Sequence, residues 1–152
     1  MFIMDAHCDT LMDVVEGRRR LADEDKGGQL DLARMVEGGV SAQIFAIYVP
    51  PEYLPGAGAR RALQYVDAFY REIEENSDRL VFATSGTDVE EAYEEGKIAA
   101  LLSIEGGEAL DGRIELLRIF YRLGVRLMTL TWSLRNEIAD GAFEGRTGGG
   151  LT

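Results

Sequence analysis

The chain begins with a short apolar stretch that runs directly into a histidine between acidic residues. The segment reads Asp5-Ala6-His7-Cys8-Asp9, and such a change from apolar to polar residues is typical of a buried strand that emerges into a site. Because side chains alternate along a strand, Asp5, His7 and Asp9 are predicted to share one face. Ala6 and Cys8 are predicted to pack on the other face.

The pair His7 and Asp9 has the chemistry of a metal ligand set. A neutral imidazole nitrogen and an anionic carboxylate oxygen, two positions apart, can bind one divalent ion. His7 is also the only histidine in the 152 residues. The motif is short, so the alternative of a hydrogen-bonded histidine beside a solvated aspartate stays open at this point.

A second candidate ligand follows a later apolar run. Glu105 comes directly after residues 97–104, which places its carboxylate at the rim of a predicted buried strand. A carboxylate can bridge two cations through its two oxygens, and Gly106 and Gly107 permit close approach of a bound group. The alternative is a loop acid whose carboxylate is held by the backbone N–H groups of these glycines.

Alternating strands and helices are predicted to position these residues. After the opening strand, the patterns predict strands at residues 40–49, 80–83, 97–104 and 125–132, and helices at residues 11–15, 32–37, 59–76, 87–95 and 113–123. Residues 16–29 are predicted to form a surface loop, and the segment from Ser133 onward a polar, glycine-rich tail.

Three local features refine this prediction. Asp31 is predicted to cap the helix at residues 32–37. Residues 87–90 match a capping box at the start of the helix predicted to end at residue 95. The run Arg18-Arg19-Arg20 is interpreted as a solvated face.

The alternation favours an α/β fold with a parallel sheet. Two architectures fit it: an open doubly wound sheet, or the first half of a TIM-type (β/α)8 barrel. An open sheet that binds nucleotides usually carries a glycine-rich loop after its first strand, and neither G-x-G-x-x-G nor G-x-x-x-x-G-K occurs here. Polar residues at the carboxyl ends of three strands (7–9, 105 and 131–136) instead favour the active face of a barrel.

The amino-acid composition limits the classes of partner that the chain is expected to bind. The 16 basic and 27 acidic residues give a net charge of -11, which disfavours nucleic acid and anionic membranes as partners. A content of 46% hydrophobic residues is enough for a core, and a single cysteine fits a reducing compartment. We therefore expect an acidic, cytoplasmic, globular chain.

Four segments together resemble the N-terminal half of the membrane (renal-type) dipeptidase family of zinc peptidases, including its soluble bacterial members. The segments are Asp5-Ala6-His7-Cys8-Asp9-Thr10, Gly38-Gly39-Val40-Ser41-Ala42-Gln43, Ser103-Ile104-Glu105-Gly106-Gly107, and Leu130-Thr131-Trp132 with Asn136. They occur in the family's order and spacing across nearly the whole chain.

The resemblance implies a (β/α)8 barrel that hydrolyses dipeptides at a binuclear zinc centre. Carried over by position, His7 and Asp9 hold one zinc ion, and Glu105 bridges both ions as the catalytic carboxylate. Trp132 and Asn136 are the predicted substrate-binding residues. In the renal-type enzyme a histidine occupies the position of Trp132, so Trp132 either lines the substrate pocket or packs the barrel.

The resemblance also implies that part of the site lies outside these residues. In the family, two later histidines hold the second zinc, and a later arginine and aspartate act on the substrate. Residues 1–152 are therefore expected to be a single incomplete domain, a fragment that holds at most one zinc well and is inactive alone. Its expected partners are a dipeptide substrate and either a missing C-terminal half or further copies of itself.

Two other functions remain open at this stage. One is a non-catalytic half-barrel that binds a metal or small ligand, or only self-associates. The other is a metal-dependent amidohydrolase that acts on a different amide or on a lactone.

Overall fold

The computed structural model describes residues 1–24, 27–143 and 149–151. Residues 25 and 26 of the predicted loop, and residues 144–148 and 152 of the predicted tail, lie outside the described residues. The strands are β1 (Met4–Cys8), β2 (Ala42–Tyr48), β3 (Leu80–Phe82), β4 (Ile98–Glu105) and β5 (Val125–Thr129). The α-helices are α1 (Thr10–Val15), α2 (Leu32–Glu37), α3 (Gly58–Glu75), α4 (Gly86–Glu94) and α5 (Ile114–Arg122), with 3-10 turns at Pro51–Tyr53 and Gly107–Leu110.

Every strand pair in the sheet is parallel. β1 pairs with β2, and β2 pairs with β4 along the whole of β2, from Ala42 opposite Ala99 to Tyr48 opposite Glu105. β3 and β5 both pair with β4 as well. Parallel strands joined by helical crossovers confirm the predicted α/β class.

The edge of β4 that faces away from β2 is shared by two strands. β3 pairs with the first part of β4, at residues 98–100, whereas β5 pairs with its last part, at residues 102–105. The continuous order at the carboxyl ends is therefore β1-β2-β4-β5, and β3 supports only the opposite end. β5 ends at Thr129 rather than at the predicted residue 132, because Thr129 lies opposite Glu105, where β4 itself ends.

The core fills the space between the sheet and the long helices. β2 is buried along all of its length except Tyr48, as expected for a strand covered on both faces. Phe45 of β2 meets Phe69 of α3 edge to face, with ring centroids 5.8 Å apart. Phe69 contacts Phe82 in the same way, so one aromatic cluster joins α3 to both β2 and β3.

Apolar side chains near the two ends of this sheet remain exposed. Met4 on β1 and Leu127 on β5 are about half exposed, and β1 and β5 are the outer members of the order β1-β2-β4-β5. Neither strand has a hydrogen-bonded neighbour on its outer side within the described residues. The carboxyl end of this five-stranded sheet is thus formed by four strands with two open edges, which is the arrangement expected of a partial barrel.

The capping box of α4 lies two residues earlier than predicted. Ser85, not Thr87, is the capping residue: its side chain accepts the Asp88 N–H at 3.1 Å, and Asp88 Oδ2 accepts the Ser85 N–H at 3.0 Å. The Thr84 N–H donates to the same Asp88 Oδ2 at 2.6 Å and is the main cause that lowers the pKa of Asp88, with hydrogen bonds from Ser85 adding to it. An aspartate at the third helical position completes the box as well as a glutamate does, so the Ser85 motif takes precedence. The prediction that Asp31 caps α2 is confirmed, since its side chain accepts the Arg34 N–H at 2.8 Å.

The interpretation of Arg18-Arg19-Arg20 as a solvated face is wrong for Arg19, although Arg18 is exposed as expected. The Arg19 side chain is buried; its Nε donates to Asp13 at 2.8 Å, and its guanidinium also donates to the carbonyl of Leu30. The hydrogen bond from Arg19, followed by that from Arg18, lowers the pKa of Asp13. A buried guanidinium requires such partners, and local charge patterning does not identify them.

Arg20 reaches a buried carboxylate on α3, which leads to a prediction on stability. Glu72 is 1% exposed, accepts the Leu21 N–H at 3.0 Å and pairs with Arg20. Replacing Glu72 by glutamine is expected to lower the free energy of unfolding by about 2–3 kcal/mol, less than for a fully buried ion pair because Arg20 is partly exposed. Urea denaturation followed by circular dichroism measures this change.

Glu75→Gln is the matched control, because Glu75 pairs with the same arginine but is half exposed. It is expected to cost well under about 1 kcal/mol. Equal effects of the two substitutions would show that burial of Glu72 does not matter.

In the part of the chain that the structure describes, no helix is long and apolar enough to cross a lipid bilayer.

Candidate metal centre

β1 delivers His7 and Asp9 to the carboxyl edge of the sheet. β1 ends at Cys8, and Asp9 is the capping residue of α1, where its backbone oxygen accepts the Met12 N–H at 2.9 Å. Cys8 packs against the core as predicted. The prediction that Ala6 is packed is wrong, because Ala6 is exposed: the pairing of β1 with β2 is irregular between Asp5 and Cys8, so simple alternation does not hold there.

β4 delivers Glu105 to the same edge. Glu105 lies between Tyr48 of β2 and Thr129 of β5 in the sheet register, and its side chain is only 17% exposed. The N–H of Gly106 donates to the backbone oxygen of Thr129 at 3.1 Å, and the N–H of Gly107 to a backbone oxygen in the following loop at 2.9 Å. The glycine N–H groups therefore extend the ladder between strands. The alternative in which they hold the Glu105 carboxylate is wrong.

The structure brings His7, Asp9 and Glu105 together, although Glu105 is about 100 residues from the other two in sequence. His7 Nε2 lies 3.4 Å from Asp9 Oδ1 and 3.7 Å from Glu105 Oε2. One ligand atom from each residue falls within 4.8 Å of the others. The predicted convergence of the two strand ends is therefore confirmed.

The two distances from His7 Nε2 fit a zinc ion. Two ligand atoms bound to a tetrahedral zinc at about 2.1 Å each are about 3.4 Å apart, which matches the distance from His7 to Asp9. The 3.7 Å from His7 to Glu105 requires only a small adjustment. One imidazole and two carboxylates leave a position on the metal open, as catalytic zinc sites do.

The charges in this cluster favour a bound cation. Burial raises the pKa of the Glu105 carboxyl, and the adjacent Asp9 carboxylate raises it further, whereas His7 lowers it. Two carboxylates that face each other without a cation repel, and an opposite charge between them favours the ionised form of Glu105. The donor set and its electrostatics both fit a divalent metal.

Trp132, a predicted substrate-binding residue, contacts Tyr48, which the sequence did not identify as a site residue. Trp132 is about half exposed and meets Tyr48 edge to face, with ring centroids 5.1 Å apart. Tyr48 lies opposite Glu105 in the sheet. Burial raises the pKa of the Tyr48 phenol, and Glu105 is among the carboxylates that raise it further. Tyr48 is the last residue of β2, as Glu105 is of β4.

The Asn136 side chain forms hydrogen bonds within the loop that follows β5. Its side-chain nitrogen donates to the backbone oxygen of Leu130 at 2.9 Å, and its side-chain oxygen accepts the N–H groups of Ile138 and Ala139. The amide thus holds together the loop that follows β5. Asn136 also lines a cleft of about 360 Å³ with Glu108. Its substrate-binding role stays a prediction.

A separate cleft opens beside the two ligands from β1. It has a volume of about 530 Å³, and its lining includes Asp5, His7, Asp9 and Arg19. The metal cluster therefore has access to solvent on the side of β1, while Glu105 is more enclosed.

The whole chain matches one protein family. A sequence model of the family described as membrane dipeptidase (peptidase family M19) covers residues 1–152. The chain belongs to the membrane dipeptidase family. It is similar to Dipeptidase tcpJ of Claviceps purpurea, with 34% identity over 127 residues that cover 78% of this chain and 30% of that relative.

Solved structures agree with this assignment. Dipeptidase AC, a metallopeptidase of the same family, superposes with a TM-score of 0.81 and 26% identity over 93% of this chain and 46% of that one. A metallopeptidase from Rhodobacter sphaeroides, solved with a phosphinate mimic of the dipeptide L-Ala-D-Ala, has a TM-score of 0.82 and 23% identity over 93% of this chain and 48% of that one.

The chain thus spans less than half the length of these dipeptidase relatives. They have TIM-type barrels, and the predicted fold class of parallel βα units from such a barrel is confirmed.

Proposed function

We propose that this chain supplies the first metal ligands of a zinc-dependent dipeptidase. The observation that carries the proposal is the convergence of His7, Asp9 and Glu105 at the carboxyl edge of one parallel sheet. This edge is where barrel enzymes hold their active sites. Membership of the membrane dipeptidase family supports the reaction class.

Each of the three residues has a distinct role in this proposal. His7 and Asp9 would hold one zinc ion, and Glu105 would contribute its carboxylate to the same binuclear centre. Glu105 is suited to that role because it ends a strand that is paired on both sides, which fixes its backbone. When bound, the zinc ions polarise the peptide carbonyl and lower the pKa of a water molecule.

Tyr48 and Trp132 form an aromatic wall beside the metal ligands in the same proposal. Their edge-to-face contact gives a rigid apolar surface, against which a substrate side chain packs and from which water is excluded. The Tyr48 hydroxyl is available as a hydrogen-bond donor. A dipeptide is the proposed substrate, in line with the dipeptide mimic bound to the Rhodobacter sphaeroides relative.

The second zinc ion needs donors that these residues do not contain. His7 is the only histidine in the 152 residues, so further nitrogen donors have to come from polypeptide beyond them or from a second copy. A cytoplasmic location is part of this proposal, supported by the single cysteine of these 152 residues, Cys8, which is free.

Zinc titration tests the part of the centre that this chain holds. Calorimetric titration of the 152-residue chain is expected to show one bound zinc per chain, and His7→Ala is expected to remove it because the cluster then loses its nitrogen donor. Glu108→Gln is the control, since Glu108 is an acid close to Glu105 that lies outside the three-residue cluster. Two tight sites per chain, or unchanged binding by His7→Ala, would contradict the proposed ligand set.

A further inference from the structure

The strand that carries the first two ligands contains one residue more than its partner over the same length. Asp5 lies opposite Gln43 and Cys8 lies opposite Phe45, so β1 advances three residues where β2 advances two. One extra residue in one strand is the definition of a β-bulge, and bulges next to active sites redirect side chains. His7 lies inside this bulge.

The bulge removes His7 from the regular ladder, and Asp5 supplies the missing partner. The backbone N–H of His7 donates to Asp5 Oδ1 at 3.1 Å. A side chain that accepts the N–H two residues later is a local turn device of aspartate. The Asp5 carboxylate thus accepts the N–H that a backbone oxygen of β2 would accept in a regular ladder.

Asp5 is itself held from the neighbouring strand. Gln43 is fully buried, and its Nε2 lies 3.5 Å from the backbone oxygen of Asp5 and 3.1 Å from that of Ile44. The Asp5 carboxylate is not one of the three groups that form the metal cluster. Its hydrogen bond instead fixes the backbone of a residue that does belong to it.

The direction of the His7 side chain depends on this backbone. A shift of one residue in register turns every side chain of a strand to the opposite face. The bulge therefore decides on which side of β1 the imidazole lies, and hence whether Nε2 stands 3.4 Å from Asp9 and 3.7 Å from Glu105. Without the hydrogen bond from His7 to Asp5, the bulge loses one of its local constraints.

We propose that Asp5 is a positioning residue of the metal centre: by accepting the His7 N–H it holds the bulge of β1 and keeps the imidazole beside Asp9 and Glu105. This inference rests on the proposed function, because it assumes that the cluster binds a metal. It assigns Asp5 a role in which the acceptor oxygen matters and the negative charge does not.

Two substitutions separate the acceptor from the charge. Asp5→Asn keeps the side-chain oxygen and removes the charge, whereas Asp5→Ala removes both. Zinc affinity measured by calorimetry is expected to fall about 10-fold or more for Asp5→Ala, as for other residues that orient a metal ligand. Asp5→Asn is expected to stay within about 3-fold of the parent chain.

Two spectroscopic measurements report directly on the position of the His7 backbone and side chain. In the metal-free chain, the His7 amide proton is expected to exchange with solvent faster in Asp5→Ala than in the parent or in Asp5→Asn, as measured by NMR. With Co²⁺ in place of Zn²⁺, the visible absorption bands are expected to change in Asp5→Ala only, because they depend on ligand geometry. If Asp5→Ala does not fold, Asp5→Glu serves in its place, since the longer side chain keeps the charge and displaces the acceptor.

The outcomes distinguish this inference from the proposed function. If the parent chain binds no zinc, the proposed function is wrong, and the positioning role falls with it. If the parent binds zinc and Asp5→Ala binds equally well with unchanged bands, only the positioning role is overturned. Loss of affinity in Asp5→Asn equal to that in Asp5→Ala would also overturn it, because the charge rather than the hydrogen bond would then be responsible.

Discussion

Replacing Glu105 by glutamine is expected to lower kcat/KM for dipeptides about 1000-fold or more in a barrel completed with the remaining family segment. Glutamine has the size of glutamate but lacks the charge that would neutralise two cations. Weaker metal binding removes transition-state stabilisation worth several kcal/mol, and about 4 kcal/mol corresponds to a factor of about 1000. Steady-state kinetics at saturating zinc measures the loss.

Metal content must change together with activity for this interpretation to hold. Atomic absorption is expected to show less zinc per protein in Glu105→Gln than in the parent. Glu108→Gln is the matched control: it removes the same charge from a residue whose carboxylate folds over the backbone of Gly106, close to Glu105. Its kcat/KM is expected to change less than about 3-fold, as expected for a carboxylate outside the metal cluster. Full activity and full zinc content in Glu105→Gln would exclude Glu105 as the bridging ligand.

Glu105 could be found from sequence because it follows an apolar run directly, and His7 because it pairs with Asp9 two positions on at the end of another predicted strand. A strand buried by helices on both faces has a continuous hydrophobic sequence, and the first polar residue after that run marks the end of the strand. Parallel strands end at one edge of the sheet, so residues found separately in this way are brought together by the fold. The 3.7 Å contact between His7 and Glu105 is the result.

Tyr48 is also the last residue of its strand, but the apolar run continues to Val49 and the sequence therefore does not identify it. A tyrosine at the end of an apolar stretch is itself an ordinary strand residue, so the pattern shows no clear boundary there. Only its register opposite Glu105 and its contact with Trp132 place it in the site. The bulge at His7 was missed for a similar reason, because it is a property of pairing between β1 and β2 and leaves no glycine or proline in the sequence.

The arginines of the charged loop show a different limit, since Arg19 is buried and Arg20 is partly exposed. Arg19 and Arg20 belong to a charged loop, and nearby residues in sequence give no sign of burial. Arg20 pairs with Glu72, which is 52 residues away. Long-range ion pairs of this kind depend on how the loop crosses α3, and charge patterning along the chain detects only neighbours such as Arg71 and Asp67 on one helix.

The 152-residue chain alone is expected to show no measurable dipeptide hydrolysis, and addition of the remaining family segment is expected to restore it. The chain holds a single nitrogen donor in its metal cluster, and the open edges at β1 and β5 leave one side of the cluster unenclosed. A centre without its second ion loses both carbonyl polarisation and part of the activation of water, each worth several kcal/mol.

To measure the restored activity, the chain is co-expressed with the remaining segment of the Rhodobacter sphaeroides relative and the complex is purified. Hydrolysis of L-Ala-D-Ala and L-Ala-L-Ala by the complex is then assayed. N-acetylated amino acids and a lactone in the same assay test the alternative hydrolase class, because a dipeptidase should leave both intact. The matched control is the same complex built with His7→Ala, which keeps the barrel surfaces and loses the nitrogen ligand. Turnover of dipeptides by the purified chain alone at an ordinary enzyme rate, about 1 s⁻¹ or more, would show that the 152 residues assemble a working centre without further polypeptide.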